Sequence, residues 1–344
     1  MTHPYRAAPD RAFWSRAVAR DFAARDLVTR DVPLLRAEDR VISAGSCFAA
    51  NLVPYLERAG FKYLRTETPH PEFVWAPPEA MSYDKFSAAY GNIYTPRQAL
   101  QLLHRAMDAF HPREDRWIEA GAVIDPFRPG LRYKARTERE FALLTAQHLA
   151  AVARAFREAD VLVFTLGLTE AWASADDGAV FPACPGTLAG AFDPKRHVFR
   201  NFSAQETTDD LLAFIETARV LNPALRVILT VSPVPLVATA TDAHVLAATT
   251  YSKSVLRVAA HEAAARLKNV VYFPSYEIVA GPQAPWDYFE ADRRTVSKAA
   301  IDAVMEAFLA ACETSEAPSA PAPPRTGLSA SIVDFECEEA AAES

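Results

Sequence analysis

Continuous apolar runs alternate along the chain with segments that have helical periodicity. Four runs predict buried strands: Arg40–Ala44, Val161–Leu166, Leu225–Ser232 and Asn269–Phe273. Apolar residues spaced three or four apart between these runs predict helices, including Pro96–Phe110 and Glu138–Glu158. Strands that are apolar along their whole length suit a parallel sheet covered on both faces. The pattern therefore predicts an α/β fold with helices on either side of a parallel sheet.

Polar and helix-breaking residues predict where these elements begin and end. Helix N-caps are predicted at Thr208 or Asp209, at Ser252 and at Ser297. Residues 173–206 contain many Pro, Gly and Asp residues and are predicted to be irregular. In parallel sheets of this kind, binding sites form where strands end and helices begin.

Changes in composition divide the chain into three predicted parts. Residues 1–38 are mixed and polar and predict an N-terminal arm, whereas residues 39–312 predict one domain with insertions. Residues 313–344 are rich in Pro, Ala and Glu and bury too little apolar surface to order themselves. This tail is either plainly disordered or, because it has a small apolar cluster at Ile332, Val333 and Phe335, a peptide that docks on a protein partner.

Charge and composition exclude several classes of protein. The net charge is −7 with both signs mixed along the chain, which argues against non-specific nucleic-acid binding. No apolar run approaches the roughly 18 residues of a membrane span, and the N-terminus has no apolar signal segment, so a cytoplasmic protein is expected. The four cysteines are widely spaced and form no CxxC pair. We expect no metal site, disulfide framework or cofactor.

The turn after the first predicted strand offers two adjacent nucleophiles, Ser46 and Cys47, directly after Gly45. A sharp strand-to-helix turn holds a nucleophile away from the sheet, and the N–H groups of the following helix stabilise an oxyanion. A helix N-terminus also lowers the pKa of a thiol. The alternative is that Ser46 merely caps the helix and Cys47 packs as a small apolar side chain.

Several segments, in order along residues 40–310, resemble the GSCFA domain family. They are GSCFA (45–49), YGNIYTPRQALQLL (90–103), TLGLTEAW (165–172), TVSPVPL (230–236), TTYSKSVLR (249–257) and YFPSYEI (272–278). This resemblance implies a three-layer α/β/α, flavodoxin-like fold of the SGNH hydrolase type. In SGNH hydrolases a Gly-Asp-Ser block supplies the serine nucleophile. Superposing the glycines places Cys47 at the nucleophile and Ser46 at the aspartate, so both remain candidates.

The resemblance also implies oxyanion and substrate-binding residues in two further blocks. A glycine that donates its N–H to the oxyanion resembles Gly91, which is followed by Asn92. The Gly-x-Asn-Asp block resembles the segment from Gly167 to Glu170, with Thr169 in place of the asparagine. A threonine hydroxyl can still donate a hydrogen bond.

The fourth SGNH block departs from its pattern in this chain. The family's Asp-x-x-His resembles the segment that starts at Asp292, but Thr295 replaces the histidine, and threonine is not a base near neutral pH. Candidate replacements for the base are His244, which follows the third strand, and His197 in the segment 173–206. Lys253 either belongs to the cap of the predicted helix start or points into the site, where it would bind an anionic substrate or, if desolvated, serve as a base.

Two functions of different classes follow from these residues. The first is an SGNH-type esterase or acyltransferase that acts on a small-molecule or carbohydrate ester, with Tyr94 and Trp172 as candidates to stack on a sugar. The resemblance alone suggests this substrate class. The second is a binding or scaffold protein that kept the fold and lost the catalytic base. Polysaccharide assembly is one process in which such a protein would act. The substitution of the histidine by Thr295 favours the second function, whereas the Ser46–Cys47 pair favours the first.

Overall fold

A five-stranded parallel sheet forms the centre of the structure, a computed structural model that describes residues 3–20, 22–28, 32–72 and 80–313. The strands of the chain are, in order, β1 (Arg40–Gly45), β2 (Lys62–Tyr63), β3 (Trp117–Glu119), β4 (Ala122–Ile124), β5 (Val161–Leu166), β6 (Glu170–Ser174), β7 (Val180–Phe181), β8 (His197–Asn201), β9 (Arg226–Val231) and β10 (Val270–Tyr272). The helices are α1 (Trp14–Ala17), α2 (Cys47–Ala50), α3 (Leu52–Arg58), α4 (Pro96–Ala106), α5 (Glu138–Glu158), α6 (Ala204–Leu221), α7 (Val245–Arg266), α8 (Ser275–Ala280) and α9 (Lys298–Ala310).

The strand order of the central sheet is β2-β1-β5-β9-β10, and every pairing is parallel. Numbered only among themselves, these strands have the order 2-1-3-4-5, which is the flavodoxin-like order. The predicted three-layer α/β/α fold is thereby confirmed. In this order the strand connections reverse direction between β1 and β5, and ligands bind at the carboxyl ends of the strands beside such a reversal.

Side chains of the central strands alternate between two apolar layers. On β5, Leu162 and Phe164 pack in one buried cluster with residues of α4, α5, α6 and α7. Val161 and Val163 pack in a second cluster with residues of α2, α3, α8 and α9. Full burial of a side chain of this size contributes roughly 1.5–3 kcal/mol. The sheet is therefore covered on both faces, as its continuous apolar strands require.

The prediction that residues 173–206 are irregular is wrong. This segment completes a three-stranded antiparallel sheet in the order β7-β6-β8, with Trp172 of β6 opposite Phe181 of β7 and Phe199 of β8. The strands are short, and β8 alternates between buried and exposed side chains, so it lacks the continuous apolar run of a central strand. A separate hairpin pairs β3 with β4.

Two predicted helix N-caps are corrected by the structure. Ser203, not Thr208 or Asp209, caps α6, and it forms a capping box with Glu206. His244 caps α7, so Ser252 lies inside that helix. The cap predicted at Ser297 is confirmed, because its hydroxyl accepts from the Ala300 N–H.

The chain before β1 contacts the last helix. The Leu34 N–H donates to the Ala311 carbonyl at 2.8 Å, the Glu313 N–H donates to the Leu35 carbonyl at 2.8 Å, and both leucines are buried. Residues 314–344 lie outside the described residues, so the tail and its protein partner stay predictions. Within the described parts of the chain, no helix combines the length and apolarity needed to cross a bilayer.

Candidate functional site

A glycine is required where β1 turns into α2. Gly45 has a φ of +138°, and a Cβ atom there would lie 2.2 Å from the Thr165 carbonyl oxygen of the neighbouring strand β5. The next residue, Ser46, donates its backbone N–H to the same oxygen at 3.2 Å. The turn is therefore pressed against the end of β5, and this closeness fixes the position of the two residues that follow.

Ser46 and Cys47 occupy different environments in this turn. Ser46 lies at the N-cap position of α2, yet its side chain makes no capping hydrogen bond. It is only 3 % exposed, and its hydroxyl has no hydrogen-bond partner among the described residues. Cys47 is the first residue of α2 and is half-buried. Cys47 is thus the more exposed of the two candidate nucleophiles.

The segment Gly91–Tyr94 lies across the carboxyl ends of β1 and β5. The Ile93 N–H donates to the Gly45 carbonyl at 2.8 Å, and the N–H groups of Gly167 and Leu168 both donate to the Tyr94 carbonyl at 3.0 Å. A Cβ atom at Gly167 would lie 3.1–3.2 Å from Tyr94 atoms, which explains the glycine. Three of the four predicted sequence blocks therefore meet at the carboxyl ends of β1 and β5, which we call the β1–β5 edge.

Asn92 adds a second buried polar group to this edge. Asn92 is only 2 % exposed, and its side-chain Oδ1 atom has no hydrogen-bond partner among the described residues. The neighbouring Gly91 has a φ of +66°, in the left-handed region that favours glycine. The Asn92 backbone carbonyl accepts from the Gln98 side chain at 2.8 Å, which fixes the segment to the start of α4.

Helix α7 holds the loop that follows β5. The Thr169 N–H donates to the Ser252 Oγ at 3.0 Å, and the Lys253 Nζ donates to the Gly167 carbonyl at 2.7 Å. Lys253 is only 1 % exposed, and its ammonium group binds the backbone of the loop. The Thr169 hydroxyl donates to the Asn201 Oδ1 at 2.8 Å. Both donor groups of Thr169 are thus used within the protein.

Glu170 borders a cleft next to this loop. The cleft has a volume of about 280 Å³ and is lined by the residues after β5, by β6 and β7, and by the loop 236–240 that follows β9. The Glu170 carboxylate accepts from the Thr239 hydroxyl at 2.7 Å and from the Ala240 N–H at 3.3 Å. It therefore ties together the loops that follow two neighbouring strands.

The predicted acid–base residues are committed to local contacts. Asp292 is exposed, and its carboxylate accepts from the N–H groups of Arg294 and Thr295 and from the Thr295 hydroxyl. Desolvation of the carboxylate acts to raise the pKa of Asp292, but the hydrogen bonds that it accepts from Thr295 and Arg294 within its own turn outweigh this effect and lower the pKa. His244 is exposed, and its Nδ1 accepts from the Leu246 N–H at the start of α7.

His197 is a buried structural histidine. Its Nδ1 accepts from the Asp193 N–H at 3.0 Å, and its Nε2 lies 3.2 Å from both carboxylate oxygens of Glu114. Glu114 also accepts from the Trp117 indole at 2.6 Å and pairs with Arg196 at 2.8 Å. Since both ring nitrogens are used in this network, His197 is not available as the replacement base considered from the sequence.

The sequence match covers all of these elements. Residues 40–308 match the sequence model of the GSCFA family, from the first residue of β1 to the last turn of α9. The chain belongs to the GSCFA family. The Gly45 turn, the Gly91–Tyr94 segment and the loop after β5 all lie inside the matched GSCFA region. No curated protein matches the chain. Within the described residues, no three His, Cys, Asp or Glu side chains are grouped so that they could hold a metal ion.

Sequence reasoning missed the residues that support the loop after β5 from distant parts of the chain. Asn201 and the Ser252 hydroxyl both bind Thr169, and the loop 236–240 forms one wall of the cleft. The sequence predicts Ser252 only as a helix cap, because its observed partner, the Thr169 N–H, is 83 positions away. The sequence of β8, which ends at Asn201, does not alternate between apolar and polar residues, because His197 is buried and Val198 is exposed, so no local signal places this residue in a strand.

Proposed function

We propose that the protein is an SGNH-like esterase or acyltransferase that acts on ester-linked acyl groups. The observation that supports this most directly is the Ser46–Cys47 pair on a sharp turn at the β1–β5 edge, where Gly45 presses against Thr165. Ligands bind at this edge in sheets with this strand order. Esters of carbohydrates are the substrate class that the SGNH resemblance favours.

Cys47 is the nucleophile in this proposal. Cys47 is half-buried, whereas Ser46 is almost fully buried. A thiolate also needs a neighbouring base less than a serine hydroxyl does, and this fits a chain in which Thr295 stands in place of the histidine. Asp292 is occupied in its own turn, so we assign it a structural role.

The proposed reaction has two steps. The Cys47 thiolate attacks the carbonyl carbon of the ester, the bond to the alkoxy oxygen breaks, and the alcohol leaves after it takes up a proton. The acyl group is then held as a thioester on Cys47. A water molecule or an acceptor hydroxyl attacks this thioester, loses its proton, and regenerates the thiolate as the acid or the new ester leaves.

The oxyanion of each step needs hydrogen-bond donors beside Cys47. The first N–H groups of a helix have no acceptor within the helix, and α2 begins at Cys47 itself. Asn92 is a further candidate donor, because its buried amide lies one residue from Ile93, which binds the Gly45 carbonyl. We do not extend this role to Thr169, since its N–H and hydroxyl already bind Ser252 and Asn201.

A binding or scaffold function is the second candidate. The observation that favours it is the closed turn of Asp292, whose carboxylate binds Thr295 and orients no base. In this case the fold would hold a ligand in the cleft beside Glu170 without reacting with it. The two functions differ in what a substitution of Cys47 does: it abolishes turnover in the first, and it leaves ligand binding intact in the second.

The deciding experiment combines active-site labelling with esterase kinetics. We expect iodoacetamide to modify Cys47 faster in the folded protein than in urea, and we expect Cys47→Ala to reduce kcat/KM for p-nitrophenyl acetate at least about 100-fold. Cys312→Ala is the matched control, because Cys312 is also half-buried and is not among the residues that line the cleft, and it should keep the activity. Parallel labelling with a fluorophosphonate tests Ser46. If neither residue reacts faster than in urea, the binding function replaces the enzymatic one.

A further inference from the structure

The cleft beside Glu170 has a largely apolar wall. Its volume is about 280 Å³, near the lower end of the roughly 300–1,000 Å³ typical of small-molecule sites. Three aromatic and three aliphatic side chains contribute to its lining: Trp172, Phe181, Phe199, Leu168, Leu236 and Val237. Burying an apolar ligand against such a surface is favourable, because apolar area on both partners is removed from water.

The charges around the cleft exclude an anionic ligand. Glu170 is the one charged side chain among the described residues that line it, and no lysine or arginine is among them. The Glu170 carboxylate already accepts from the Thr239 hydroxyl and the Ala240 N–H. A phosphate or carboxylate group would therefore meet a like charge and no cationic partner, which is unfavourable in a desolvated site.

The same composition argues against a sugar as the occupant. A sugar ring presents several hydroxyl groups, and each needs a hydrogen-bond partner when it is buried. Apart from the Cys184 thiol, the uncharged side-chain polar groups of the described lining are the hydroxyls of Thr187 and Thr239 and the indole N–H of Trp172. Thr239 is already bonded to Glu170 and Thr241. Trp172 could stack on a ring, but the wall offers few partners for its hydroxyls.

The cleft is linked to the turn that carries the proposed nucleophile through the segment Gly91–Tyr94. Leu168 lines it, and Leu168 packs in a small apolar cluster with Tyr94 and Leu236. The Leu168 N–H binds the Tyr94 carbonyl, and the same segment binds the Gly45 carbonyl through the Ile93 N–H. The turn that carries Cys47 and the wall of the cleft are thus connected through one short segment.

We propose that this cleft binds the hydrocarbon chain of the acyl group, so that the preferred substrate is an ester of an uncharged aliphatic acid. This inference rests on the proposed function, because it treats Cys47 as the atom that attacks the acyl carbonyl. It goes further by assigning the apolar wall to the acyl side of the ester and not to the alcohol. The alcohol then lies outside the cleft.

Binding of octan-2-one tests the cleft without any turnover. This ketone has the apolar chain and carbonyl of an acyl group but no ester bond, so the Cys47→Ala variant can be used whether or not the wild-type protein is an enzyme. We expect octan-2-one at saturating concentration to raise the Tm by about 3 °C. Ala238→Trp, at an exposed residue of the cleft wall, should abolish the shift. Ala224→Trp is the matched control, an exposed alanine just before β9, and should keep it.

A second readout uses a cysteine of the cleft wall. Cys184 lines the cleft, and we expect octan-2-one to slow its modification by N-ethylmaleimide, with Cys312, which is not among the cleft-lining residues, as the internal reference. This measurement decides the question in the Cys47→Ala chain if Ala238→Trp does not fold. The proposal is overturned if octan-2-one neither raises the Tm nor protects Cys184. If cellobiose then raises the Tm and protects Cys184, the cleft binds a sugar.

Discussion

Two buried polar atoms at the β1–β5 edge, the Ser46 hydroxyl and the Asn92 Oδ1, have no partner among the described residues. A buried polar group without a hydrogen bond costs about 1–3 kcal/mol. Both atoms belong to segments that meet through the Ile93–Gly45 hydrogen bond, so the cost is concentrated at one place. Such a concentration is typical of a site that is arranged for a ligand and not for stability.

The glycine of the turn yields a prediction for stability. Replacing Gly45 by alanine forces a side chain into a backbone conformation with φ of +138° and drives its Cβ into the Thr165 carbonyl at 2.2 Å. We expect Gly45→Ala to lower the free energy of unfolding by about 3 kcal/mol, because strain and overlap add. Urea denaturation followed by circular dichroism measures the loss.

A second glycine separates the cost of the strained backbone from the cost of the overlap with Thr165. Gly121, in the β3–β4 hairpin, has a φ of +80° and no atom within 4 Å of a Cβ position. Gly121→Ala should therefore cost about 1–2 kcal/mol, the cost of the left-handed conformation alone. Equal decreases in the free energy of unfolding for Gly45→Ala and Gly121→Ala would show that the overlap with Thr165 contributes nothing.

At the scale of elements, the sequence predicted the central sheet well because its strands have an unmistakable pattern. β5 was predicted with its observed bounds, Val161–Leu166, since six apolar or small residues in a row occur where both faces of a strand are buried. The two-residue strand β2 (Lys62–Tyr63) was missed, because two residues contain no pattern. The strand β8 was missed because only one side of it is buried.

The candidate site was predicted in part for a related reason. Gly45, Gly91 and Gly167 were found as sequence blocks, and the structure brings them to one edge. The role of Lys253 was not predictable, because its partner, the Gly167 carbonyl, is a backbone atom 86 positions away. Contacts of that kind depend on how α7 packs over the sheet, which no local pattern specifies.

The N-cap of α6 gives a prediction at this scale. Ser203 accepts from the Glu206 N–H at 3.2 Å, and Glu206 accepts from the Ser203 N–H at 2.9 Å. The spacing Ser-x-x-Glu is a signal that the sequence contained. We expect Ser203→Ala to lower the free energy of unfolding by about 1 kcal/mol. Ser254→Ala is the matched control on the exposed face of α7, and its effect should stay within about 0.5 kcal/mol in the same urea titration. A loss as large at Ser254 would mean that capping is not the cause.

At the scale of the whole molecule, a buried network of charged side chains joins the loops before α5 to the three-layer domain. The Glu67 carboxylate accepts from the Ala89 N–H at 2.7 Å and lies 2.8 Å from the Nδ1 of His148 on α5. Arg128 lies 3.8 Å from Glu67 and donates to Asp125 at 2.8 Å. All four charged or titratable side chains are buried, and buried charges are tolerated only when they are paired in this way.

This network predicts that the protein loses stability in weak acid. Burial lowers the pKa of His148 below its ordinary value of 6.5, and the positive charge of Arg128 acts in the same direction although Glu67 opposes it. As the pH falls below about 6.5, the unfolded chain therefore binds a proton that the folded chain does not, and the free energy of unfolding decreases until the pH reaches the lowered pKa. One such proton makes the slope approach about 1.4 kcal/mol per pH unit. Urea titrations between pH 7 and pH 5 should show this slope in the wild-type protein and in His261→Gln, which changes an exposed histidine of α7, and a shallower one in His148→Gln. Identical slopes in all three proteins would mean that His148 does not couple this network to pH.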